Sequence, residues 1–95
     1  MPIKNTDTVI NCIIANANQH AYKWDKNISD DHKLVVLLRE LGELSNSLYE
    51  KHEHPPELEL IQISGICINW LRRFPEDKVI LALEQTTKEH QQRGT

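Results

Sequence analysis

Two glutamates one helical turn apart, Glu40 and Glu43, and a third, Glu59, beyond a Pro-Pro break, are the residues best suited to chemistry. Glu40 and Glu43 lie beside an apolar stripe rather than opposite it. Glu59 heads a narrow polar stripe, Glu59, Gln62, Gly65, Asn69 and Arg72 or Arg73, on a segment that is otherwise apolar. Set as antiparallel helices, which their short connection implies, the two segments turn three carboxylates and one amide towards a common point. Carboxylates so placed repel one another unless a cation lies between them, and hard oxygen donors select Mg²⁺ or Mn²⁺. Such an ion would hold the phosphates of a nucleotide and lower the pKa of a water that attacks phosphorus. Plainer readings stand beside this one. Glutamate pairs at this spacing are common on solvated helix faces. Glu59 and Asn69, polar groups on an apolar helix, could instead belong to a structural network across a dimer seam.

The elements that must position these residues are helical. Val9, Ile10, Ile13, Ile14 and Ala17 follow a helical face over residues 6–22, with Thr6 or Asp7 as cap. Residues 23–29 break the pattern and read as a loop carrying Trp24. A second helix begins at Ser29 or Asp30, with Asp30 and Asp31 where the helix dipole favours acids, and runs to about residue 50. Its stripe is Leu34, Val35, Leu37, Leu38, Leu41, Leu44 and Leu48. Gly42 thins this helix between the two glutamates, at a cost of about 1 kcal/mol relative to alanine, and close backbone approach would explain it. Pro56 opens a third helix reaching about residue 73, where Phe74-Pro75 stops it. A fourth covers about 76–91, with a polar tail that frays after about residue 89.

The third helix carries Leu58, Leu60, Ile61, Ile63, Ile66, Cys67, Ile68, Trp70 and Leu71 almost all the way round. A helix apolar on nearly every side must be surrounded, and three companions of this length hardly suffice. The expected fold is therefore all-α, a single four-helix domain over residues 1–95 that completes its core with a symmetric partner. At 95 residues a core is marginal in isolation. The net charge of −3, from 14 acids against 11 Lys and Arg, argues against a general nucleic-acid binder. Cys12 and Cys67 lie in apolar segments and read as small buried hydrophobes in a reducing compartment. No segment reaches the length of a membrane span and no leader opens the chain, so a cytoplasmic protein is expected.

The run Leu37-Leu38-Arg39-Glu40-Leu41-Gly42-Glu43-Leu44, followed by Glu59-Leu60-Ile61-Gln62, resembles the MazG-like all-α nucleotide pyrophosphohydrolases, whose signature is a Glu-Glu-x-x-Glu helix and then a Glu-x-x-Asp helix. Lys23-Trp24 before the first motif and Ile68-Asn69-Trp70-Leu71-Arg72 after the second extend the resemblance over about residues 15–75. It implies a four-helix subunit forming a dimer or a dimer of dimers, and cleavage of a nucleoside triphosphate to the monophosphate and pyrophosphate. By the same resemblance Glu40, Glu43 and Glu59 would act as catalytic metal ligands for Mg²⁺ or Mn²⁺, with Gln62 as a further ligand. Trp24, Arg39, Asn69 and Arg72 would face the substrate, Trp24 by stacking on the base or by packing in the core. Two positions depart from the pattern. Arg39 stands where the first glutamate is usual, and Gln62 where the last acid is expected. Glutamine keeps an oxygen donor and removes a charge, which lowers metal affinity, while arginine offers a phosphate contact. The departures also fit a member that kept the fold and serves as a nucleotide-binding or protein-interaction module without catalysis.

Weaker signals are His52 and His54 flanking Glu53, too few ligands for a defined transition-metal site and read as a solvated turn. Lys78, Lys88 and Arg93 could reach phosphates in a partner's site or be ordinary surface charge.

Overall fold

The computed structural model describes residues 4–24, 28–49 and 54–92, the side chain of Tyr22 excepted. The described residues form four α-helices: α1 (Thr6–His20), α2 (Asp30–Tyr49), α3 (Pro56–Leu71) and α4 (Glu76–Gln92). A 3-10 turn (Ala21–Trp24) follows α1, and no strand occurs among the described residues. The class is all-α. His52 and Glu53 of the weak histidine signal, Arg93, the middle of the 23–29 loop and the end of the second helix near residue 50 lie outside the described residues.

Each boundary has a local cause. The cap of α1 is Asn5 rather than Thr6 or Asp7. Its φ of 63° is a left-handed conformation that asparagine tolerates better than most residues, and its side chain makes no capping bond. The first helix also stops short of residue 22, because Ala21–Trp24 tighten into the 3-10 turn, which takes in two residues expected in the loop. For α2 the Ser29 hydroxyl caps the start, accepting from the His32 amide at 3.2 Å. Proline shapes both ends of the third helix: Pro56 occupies its first turn, and Arg72–Phe74 unwind through turn hydrogen bonds before Pro75.

Packing centres on α3, which lies against both α1 and α2, while α4 projects from its end with little contact to the other three. The face α3 turns inward is its polar stripe: Glu59, Gly65 and Asn69 are its buried residues. Asn69 Nδ2 donates to the Ala17 carbonyl at 2.9 Å, and Arg72 Nη1 donates to Asn69 Oδ1 at 3.1 Å. That network joins α1 to α3 within one chain, so Asn69 needs no partner across a seam. The close helix approach falls at Gly65, not Gly42. A Cβ at Gly42 would meet open space, whereas one at Gly65 would collide with Asn16 Oδ1 and lie 3.4 Å from the Ala17 backbone nitrogen. We expect Gly42→Ala to stabilise α2 by up to about 1 kcal/mol, and Gly65→Ala to give less, because the Asn16 side chain must move aside for its Cβ. Denaturant midpoints of the two variants check the contrast.

Apolar cover is what this subunit lacks. Among the described residues Ala17 and Trp24 are its buried apolar side chains. Val35 (60 %), Leu38 (56 %), Leu48 (56 %) and Leu83 (68 %) are open to solvent. Cys12, expected to be buried, is exposed, and both cysteines are free thiols. The chain spans 42 × 41 × 23 Å with a radius of gyration of 15.7 Å, against about 12 Å for a compact chain of this length. Its accessible surface is 7755 Å², roughly 2,100 Å² more than a monomer of its mass normally shows.

Candidate functional site

As α2 advances from Glu43 to Ser47, its neighbours recede from Glu59 on α3 to His54 in the turn before it, so the two helices run antiparallel. The connection is drawn tight there: the Ser47 hydroxyl donates to the His54 carbonyl at 2.7 Å. Pro55 is extended (φ −73°, ψ 157°) and Pro56 begins α3 at once. Glu59 consequently enters the first turns of α3 facing α2, where Glu40 and Glu43 project from successive turns.

Oxygens of Glu40, Glu43 and Glu59 lie within 4.8 Å of one another. Among the described residues Glu59 is the largest fully buried side chain, with 0 % exposure. Both of its oxygens, and Oε2 of Glu40, are buried without a hydrogen-bond partner. Nδ1 of His54 stands 3.4 Å from Glu59 Oε1 without forming a proper hydrogen bond. A buried carboxylate left this way costs several kcal/mol unless something positive meets it. A divalent cation fits the donor set: three acidic oxygen ligands converge, and one cannot turn to water.

Burial raises the Glu40 pKa above the ordinary carboxylate value, and the charges of Glu43 and Glu59 raise it further against the opposing pull of Arg39. The raised value means the folded, metal-free chain holds a proton more tightly than the unfolded one. Its contribution is present at acid pH and is lost as pH rises through the raised pKa. We therefore expect the stabilisation conferred by a divalent cation, read as a shift in Tm, to grow from acid to neutral pH.

Beside the acids opens a cleft of about 320 Å³, the lower end of the range for small-molecule sites. Trp24, Arg39, Glu40, Gln62 and Asn69 line it, so five of the residues singled out in the sequence share one cavity with the carboxylate cluster at its edge. Trp24 is buried, and forms a wall. Arg72 does not line this cleft. It lies in the groove between α3 and α4 with Phe74 and Ile80, and its guanidinium reaches the site only through Asn69.

Sequence reasoning missed part of the lining. Asn16, His20 and His32 also face the cleft. They belong to polar stretches whose spacing carries no signal, and only the return of α1 against α3 brings them together. Lys33 was also hidden: it is buried, paired with Asp30 at 3.2 Å and placed 5.9 Å from the Trp70 ring. Comparison with known proteins adds no assignment, since no family model, no characterised protein and no solved structure matches the chain.

Proposed function

We propose that the chain is a divalent-cation-dependent nucleotide pyrophosphohydrolase of the MazG-like kind, working as a homo-oligomer on Mg²⁺ or Mn²⁺. The observation that carries the reading is Glu59, wholly buried, its two oxygens accepting no hydrogen bond, against Glu40 and Glu43. The bound cation would neutralise phosphate oxygens and activate water. Glu40, Glu43 and Glu59 would hold it in place, and Gln62, without a charge, would contribute at most an oxygen dipole. Arg39 lines the cleft beside Glu40 and can pair with a phosphate in a two-pronged contact. Trp24 supplies an apolar wall for the nucleoside end. Water would attack between the α- and β-phosphates, giving a nucleoside monophosphate and pyrophosphate, with the phosphoanhydride bond broken and one water consumed.

Self-assembly is part of the proposal. Two chains that each carry about 2,100 Å² of surplus surface match what obligate dimers bury. The uncovered side chains on α1, α2 and α4 are the apolar kind such interfaces use.

A specific pair of residues favours a second reading. Arg39 and Gln62 replace two acids of the motif, and Asn69, the expected substrate contact, commits its amide to Ala17 and Arg72. A nucleotide-binding module without turnover fits those features. Pyrophosphate release from a nucleotide panel with Mg²⁺ or Mn²⁺ tests the first reading. Absence of release from every nucleotide, together with no cation-induced rise in Tm, ends it. Binding without turnover in the parent chain, with hydrolysis appearing in Gln62→Asp, establishes the second.

A further inference from the structure

Helix α2 spends one face inside its own subunit and leaves the other bare. Val36, Leu37, Glu40, Glu43, Leu44 and Ser47 are half-buried. Between them fall Leu34, Val35, Leu38, Leu41, Leu48 and Tyr49, each between 43 % and 83 % exposed. At about 100° per residue these six, with the small Gly42 and Ser45, share an arc of about 140°. No charged side chain falls within that arc from Leu34 to Tyr49, and Arg39, outside its edge, lines the cleft. The middle of the stripe lies between Leu41 and Gly42. It is shallow there, since a Cβ at Gly42 would meet nothing within 4 Å.

We infer that two copies of the chain pair through this stripe, α2 against α2, antiparallel about a two-fold axis between Leu41 and Gly42. The inference rests on the self-assembly part of the proposed function, for which it names the seam, and is independent of metal and of turnover. A two-fold interface must be complementary to itself. Laid antiparallel about that point, a second α2 sets Leu34 against the partner's Leu48 and Val35 against the partner's Tyr49. It sets Leu38 against the partner's Ser45, and Leu41 against its own copy. Every large apolar side chain of the stripe thereby gains an apolar or a small neighbour. A parallel pair would bring Asp30 and Asp31, in the first turn of α2, against the same acids of the partner. The antiparallel pair parts them and opposes the two helix dipoles. The area suits a second copy: each chain carries roughly 2,100 Å² more surface than a monomer of its mass, and obligate dimers bury areas of this order.

Disulfide trapping reads the seam directly, in the full chain carrying Cys12→Ser and Cys67→Ala. Across the axis two Cα atoms at position 41 would lie about 6 Å apart, within disulfide reach. Two at position 34 would lie roughly 22 Å apart. Leu41→Cys should therefore oxidise to a covalent dimer. Leu34→Cys and Leu48→Cys should each fail to do so alone, and a mixture of the two should succeed. If Leu41→Cys fails to fold, Gly42→Cys, on the other side of the axis, carries the same readout. Gly42→Trp, whose side chain would meet only solvent on a lone chain, should weaken dimerisation about tenfold or more in sedimentation. A parent that dimerises while neither Leu41→Cys nor Gly42→Cys cross-links overturns the seam and leaves self-assembly standing. Cross-linking of Leu34→Cys or Leu48→Cys alone overturns it as well, as does a Gly42→Trp dimer as tight as the parent's. A monomeric parent overturns it together with self-assembly.

Discussion

Glu59→Gln should make the metal-free protein more stable and abolish its response to divalent cations. These two effects have opposite sign, and few substitutions of a fully buried residue are expected to stabilise. The reason lies in the surroundings of the carboxylate. Glu59 has no exposure, both oxygens lack hydrogen bonds, and two further acids stand within 4.8 Å. Glutamine has nearly the same shape, so no cavity opens. It removes one of three crowded carboxylates, and His54, 44 % open to solvent, can turn to water once its neighbour is neutral, so a gain on the order of 1 kcal/mol is expected. For a domain of this size each kcal/mol corresponds to roughly 4–8 °C in Tm. Calorimetry in a chelator should therefore show a rise for Glu59→Gln, and addition of Mg²⁺ or Mn²⁺ should raise Tm for the parent only. If the carboxylate instead serves the fold through a structural partner, the variant loses stability and both proteins answer the cation alike. Hydrolysis, where present in the parent, should fall with the cation response.

How much of this was readable beforehand differs by element. The four helices were, because Leu34 through Leu48 keep a helical period and Pro56 and Pro75 sit where helices restart. The meeting of Glu40, Glu43 and Glu59 was readable too, since a short Pro-Pro connection leaves two helices little choice but to lie antiparallel. Gly42 misled because a glycine inside a helix advertises close approach without saying whether a neighbour exists. Gly65, which does meet one, looked like a member of the polar stripe. His54 looked like a solvated turn residue, since nothing in local spacing shows that Ser47 ties its carbonyl to α2. Asn69 was recognisable as unusual, yet its partner Ala17 lies on α1, far away in the sequence. Contacts between distant segments are decided by packing, which periodicity reports only as a face.

Val35→Asp should be far more damaging than its position on a single chain suggests. Val35 is 60 % exposed, and a polar substitution at such a site ordinarily changes stability by no more than about 0.5 kcal/mol. Across a self-association interface the same aspartate would place a charge against apolar side chains and cost several kcal/mol. The uncovered face makes the second outcome the expected one. Val35 shares α2 with exposed Leu34, Leu38, Leu41 and Leu48, and Ala17 and Trp24 are too small a core to balance the entropy of ordering the chain. Folding and assembly should then be one process, with a Tm that rises with protein concentration. Sedimentation of the parent should give a dimer or larger species at micromolar concentration. Val35→Asp should give a monomer that unfolds without a sharp transition. Leu83→Asp asks the same of α4: because that helix has little cover within its own subunit, disruption by this change would put it in the seam as well. A parent that sediments as a monomer, with a Tm independent of concentration, would mean that these apolar side chains face water in the working protein, and the self-assembly proposal would fail while the acidic cluster stood unchanged.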